Sequence, residues 1–165
     1  MTSVDSPLPY SPQQVIGQAF GIDPELLFGP EGHGQVQLDG ALLHLQVYQQ
    51  EAAHVLLLLA DLGPLPQQGR AEMHQRMLVA NSGWRELAGG ALCTNGSSDR
   101  AHLRLRLDLK TLTVEVLQQW LTAFVVAAED WAERLTTVSP SFPPPDAAAP
   151  FSVQDYASTL PFLKA

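Results

Sequence analysis

The sequence predicts an α+β fold, a twisted antiparallel five-stranded sheet with three helices in the order α-β-β-β-α-β-β-α. Three observations predict it. Apolar residues recur at helical spacing in three segments and at a spacing of two in five others. Gly, Pro and Asn-Gly breaks separate these segments. Finally, 165 residues, 45% of them hydrophobic, supply one ordinary core with little left for a second.

The first helix opens at Ser11-Pro12-Gln13-Gln14, where Ser11 caps, Pro12 takes the first helical position and Gln14 closes a capping box. It ends at Gly21, and Val15, Ile16, Ala19 and Phe20 form one apolar stripe on a helix too short to stand unless it docks. After the glycine-rich connector Gly29 to Gly34, Gln35 to Asp39 alternates as a first strand, and Leu43, Leu45 and Val47 mark one face of a second. A third strand, Ala53 to Ala60, is apolar on both faces: Val55, Leu57 and Leu59 on one, Leu56 and Leu58 on the other. Such a strand is covered on both sides or offers a hydrophobic face to a partner.

Gly63-Pro64-Leu65-Pro66 ends this meander, and a second helix runs from Arg70 to Asn81 with Met73, Met77 and Ala80 on one side. Trp84 to Leu92 is expected as a fourth strand, its Gly89-Gly90 pair marking a bulge or a close backbone approach. The fifth, His102 to Leu109, sets Leu103, Leu105, Leu107 and Leu109 against Arg104, Arg106 and Asp108, giving one dry and one wet face. The last helix, Val114 to Leu135, carries Leu117, Trp120, Leu121, Phe124, Ala128 and Trp131 at three-to-four spacing. Residues 1–10 read as an extension, 11–135 as the domain, and 136–165, rich in Pro and Ala, as a mobile tail.

The formal charge of −8 argues against a surface that gathers phosphates, so no nucleic acid is expected as a partner. Residues 1–69 hold seven acids and no Lys or Arg, whereas 70–134 hold eight of each. No apolar run approaches the roughly 20 residues of a membrane span, the N-terminus lacks a secretory pattern, and the single Cys93 suits a reducing compartment. A cytoplasmic protein without membrane insertion is expected.

Candidate chemistry is sparse. His44 and His54 share a sheet face if the intervening turn centres near Gln50, but no third residue completes a zinc site. They support only a secondary reading, a small ligand-binding or metal-dependent hydrolytic protein. Gly29 to Gly34 follows a helix and precedes a strand, the wrong context for a phosphate cradle. Cys93 lacks an adjacent base. No cofactor and no metal are expected. What remains is apolar surface beyond what one sheet and three helices cover, suiting a dimer interface and a groove for an extended segment.

Four fragments carry a resemblance: Leu57-Leu58-Leu59-Ala60-Asp61-Leu62-Gly63-Pro64-Leu65-Pro66, Leu78-Val79-Ala80-Asn81, Gly89-Gly90-Ala91-Leu92, and Phe124-Val125 with Glu129 and Trp131. In this order the chain from Ser11 to Leu135 resembles the class I type III secretion chaperones of the Tir-chaperone (CesT-like) family. The resemblance implies a cytoplasmic bacterial homodimer, without catalysis, that binds the N-terminal segment of secreted effectors in extended form. It also implies delivery to the secretion ATPase or sorting platform. It assigns effector binding to Val15, Ile16, Phe20, Val36, Leu38, Leu42, Leu56 and Leu58, and the dimer interface to Met73, Met77, Leu78, Trp84 and Leu87.

Overall fold

The structure, a computed structural model, describes residues 11–50, 53–83, 85–95, 99–110 and 112–137. The expected extension 1–10 and all but the first residues of the expected tail lie outside them, as does Trp84. The elements run α1 (Pro12–Phe20), α2 (Pro24–Leu27), β1 (His33–Leu38), β2 (Ala41–Gln50), β3 (Ala53–Pro64), α3 (Arg70–Ala80), β4 (Ala91–Thr94), β5 (Arg100–Asp108) and α4 (Val114–Thr136). All strand pairs are antiparallel, in the order β1-β2-β3-β5-β4. The α+β class and the five-stranded sheet are as predicted. α2 is an addition, a single turn capped by Asp23 that the short Asp23-Pro24 signal hid.

One face of the sheet is the core. Leu43, Leu45, Leu56, Leu58, Ala60 and Leu103 point into it and are at most 1% exposed. Above them lies α4, which buries Leu117, Leu121, Phe124, Ala128 and Trp131 along one stripe. Thr113 caps α4 by accepting a hydrogen bond from the Val116 N–H at 3.3 Å. α1 docks on α4 through Ile16, which is fully buried, and Gln118 Nε2 donates to the Ala19 carbonyl at 3.3 Å. The capping box at Ser11 and Gln14 is present, and Gly21 closes α1 in the left-handed conformation.

The fourth strand departs from expectation. Instead of running from Trp84 to Leu92, the chain makes successive turns through Arg85 to Gly89, and β4 begins only at Ala91. Ala88 (φ 49°) and Gly89 (φ 73°) sit at positive φ in succession, outside the β region that a regular strand requires. The glycine pair instead permits close approach: a Cβ on Gly90 would lie 2.9 Å from the Arg104 carbonyl oxygen, and one on Gly89 would lie 3.1 Å from the Trp120 ring. Leu87, carried by these turns, plugs the core with no exposure.

Both edges of the sheet are partly covered. On β4, the Asn81 side chain accepts from the Leu92 N–H at 2.8 Å and donates to its carbonyl at 3.0 Å, taking the place of a neighbouring strand. On β1, a bridge from Phe28 to Gly34 covers the beginning of the strand, and a Cβ on Gly34 would lie 2.3 Å from the Leu27 carbonyl oxygen. The stretch from Gln35 to Leu38 has no strand on its outer side among the described residues.

Candidate functional site

A concavity lies beside that free stretch of β1. Its floor and walls come from Phe20 at the end of α1, Leu38 at the end of β1, and Leu121, Val125 and Val126 on α4. Asp39 and Glu129 stand at the rim, and the groove encloses about 470 Å³. Val126 is 61% exposed, although it is large and apolar. Local sequence explains the geometry: Asp39-Gly40 makes a two-residue turn between β1 and β2, with Asp39 at φ 48°, a conformation that Asp tolerates better than most residues. Glu129 accepts the Gly40 N–H at 3.0 Å, which ties this turn to α4 and holds the groove open between them.

An apolar floor beside unpaired strand edge groups suits an extended peptide, whose main chain can hydrogen-bond the edge while alternate side chains enter the floor. The acidic rim has no Lys or Arg among the lining residues.

The residues assigned to effector binding are dispersed. Phe20 and Leu38 line the groove, Val15 is half-buried on α1, and Leu42 is 38% exposed on the opposite sheet face. Ile16, Leu56 and Leu58 are fully buried and Val36 nearly so. Their expected exposure is corrected, because they form the core beneath α1 and α4. The dimer assignment needs the same correction at Met73, Met77 and Leu87, which the chain buries within itself. Leu78 is 72% exposed on α3, beside Val79 at 44%. Trp84 is outside the described residues.

Sequence reasoning missed Gln118, Thr122 and Val126, an outward row on α4 at intervals of four, and the two rim acids. One signal was available. Val126 falls on the side of the helix opposite the buried stripe of Leu117, Leu121, Phe124 and Ala128, so it cannot face the same core.

The histidine reading fails on geometry. The β2–β3 register pairs Gln50 with Ala53, His44 with Leu59, and His54 with Gln49, which puts His44 and His54 on opposite faces of the sheet. They cannot share a metal ion or a substrate. At Cys93, burial pushes the thiol above its ordinary range, against a smaller opposite effect from the Arg104 charge. That disfavours the reactive thiolate.

Among the described residues no helix is long and apolar enough to cross a membrane. No curated protein matches the chain significantly. Solved structures do. The fold is similar to that in the crystal structure of the ExsC–ExsE complex, with a TM-score of 0.60 and 19% identity over 77% of this chain and 95% of that one. It is also similar to the Yersinia pestis type III secretion chaperone SycH, solved with a stable fragment of YscM2: TM-score 0.55, 19% identity, 76% of this chain and 99% of that one. The ExoT–SpcS complex from Pseudomonas aeruginosa gives a TM-score of 0.53 and 21% identity over 76% of this chain and 97% of the other. At these identities the structures establish a shared fold. The sequence itself matches the family model of the Tir chaperone proteins over residues 14–132, from α1 to the last turns of α4. The chain belongs to the Tir chaperone protein (CesT) family.

Proposed function

We propose that this protein is a cytoplasmic type III secretion chaperone that binds the N-terminal segment of one or more secreted effectors and keeps it extended and competent for secretion. Two of the similar structures are chaperones held with a partner, the HopA1–SchA chaperone–effector complex and the type III secretion chaperone SycH with a stable fragment of YscM2. The observation that carries the reading to this chain is the groove of Phe20, Leu38, Leu121, Val125 and Val126 beside the free edge of β1. Exposed apolar surface next to unpaired backbone groups is a hazard for a protein without a partner and an asset for one that holds unfolded chain. Ordering a disordered segment there typically buries about 1,000–3,000 Å², and the heat-capacity change of binding is strongly negative.

Two copies pair through the outward side of α3, where Leu78 and Val79 are exposed. The homodimer then presents two grooves to one client or to two. Delivery to the secretion ATPase or sorting platform follows as the step after capture.

The test is co-expression with each neighbouring gene product. One product should co-purify with the wild-type chain and be lost by at least about tenfold with Val126→Asp, while the variant keeps its circular dichroism spectrum. Equal retention by the variant, or no partner with an unfolded N-terminal segment, overturns the assignment. Light scattering should give twice the 17.9 kDa chain mass, and Leu78→Asp should reduce it to one chain.

A further inference from the structure

The face of the sheet turned away from α4 carries a charge opposite to that of the whole molecule. Its centre is apolar: Leu57 and Leu59 on β3 are half-buried on the side away from the core, and Leu42 and Tyr48 on β2 are 38% and 41% exposed. On one flank Leu59 neighbours Arg104 and Leu57 neighbours Arg106, both exposed. Neither arginine forms an ion pair among the described residues. On the other flank His33, Gln35, His44 and Gln46 form a hydrogen-bonded ladder, with Gln35 Nε2 and His44 Nδ1 at 2.9 Å and Gln46 Nε2 and His33 Nε2 at 3.1 Å.

Of the carboxylates on this face, Asp61 is paired with Arg100, whose Nε lies 3.0 and 2.9 Å from its two oxygens, whereas Asp108 accepts the Lys110 backbone N–H at 3.0 Å and keeps its charge at the end of the strip, two residues from Arg106. A protein with a formal charge of −8 therefore presents an apolar strip edged by two arginines that form no ion pair among the described residues, against the one charged carboxylate of Asp108. By contrast, the groove beside β1 is rimmed by Asp39 and Glu129. The two surfaces favour chain of opposite sign.

We propose that the open sheet face binds an acidic amphipathic helix of the client, its apolar side on Leu57 and Leu59 and its carboxylates on Arg104 and Arg106. This rests on the client-binding reading and adds a second contact of defined chemistry. A sheet face is commonly covered by a helix laid across it, and guanidinium forks pair with carboxylates in two-point contacts. The arginine stems extend the apolar strip while their heads stay in water.

The test uses full-length protein and two synthetic helical peptides of about 20 residues, identical in their leucines, with Glu at every polar position of one and Lys in the other. Wild-type protein should bind the Glu peptide at least about tenfold more tightly, and added salt should erode the difference. Arg104→Glu with Arg106→Glu should reverse the preference, and Arg104→Gln with Arg106→Gln should abolish it. Equal binding of both peptides, or a preference that survives the arginine substitutions, overturns the proposal. So does a change in molar mass of the arginine variants without a change in peptide preference, which would assign the face to a second copy. Failure of the co-purification test with the peptide preference intact would sink the client reading instead, so the two failures are distinguishable.

Discussion

Alternate residues of the same strands build the two faces of this sheet, and the outcome on each side differs. On the covered side Leu45, Leu56, Leu58 and Leu103 meet Phe124 and Leu117 of α4 and lose nearly all contact with water. On the open side Leu57 and Leu59 stay half-exposed between arginines and a His–Gln ladder. Four consecutive leucines thus divide by parity into two that hold the fold together and two that face outward. Apolar character alone does not say which leucines serve stability and which serve recognition.

Substitution on β3 separates the two sides most sharply. Leu58→Ala should cost about 2–5 kcal/mol, the range for deleting a large side chain from a packed core, whereas Leu59→Ala should cost less than about 1 kcal/mol. Urea unfolding of both variants measures the gap, and comparable losses would mean that the open face is sealed in solution.

A smaller effect belongs to the strip of sheet where both faces end. Asn81→Ala removes the two hydrogen bonds that close the β4 edge at Leu92 and should cost about 1–2 kcal/mol. Faster exchange of the Leu92 amide should accompany it. An unchanged exchange rate would show that the edge is closed by something other than Asn81.

The smallest effect is electrostatic and lies on the open side. Burial raises the proton affinity of Asp61, but hydrogen bonds from Arg100 and the Gly63 N–H, with the charges of Arg100 and His102, outweigh it and hold the carboxyl below its ordinary value of 3.8. A group depressed in the folded state stabilises it fully above its unfolded value, and the contribution fades as pH falls through the folded one. Asp61→Asn should lower the melting temperature by roughly 2–4 °C at neutral pH and by less in acid below that value. A melting difference that does not shrink in acid would point to lost packing instead of lost charge.

The element types were legible because each rests on local periodicity. The Ser11 capping box, the alternation from Leu103 to Leu109 and the stripe on α4 recur in the structure where the sequence puts them. The β4 start was not legible, since Leu87 and Leu92 fit a strand as readily as they fit a turn that plugs the core. Less of the groove was legible. The family resemblance pointed to Phe20 and Leu38, while Val126, Asp39 and Glu129 join them only because α4 crosses the β1–β2 turn.

By itself, then, the chain specified the kind of element wherever the periodicity runs long, though not at α2 or in the turns before β4, because residues three, four or two apart are neighbours in any helix or strand. It also specified the uneven charge between its two parts, since that requires only counting. Tertiary structure decided which side of β3 is inside. A register offset of one residue turns every side chain to the other face, and with leucine at four successive positions the hydrophobic effect favours neither side until α4 settles on one of them.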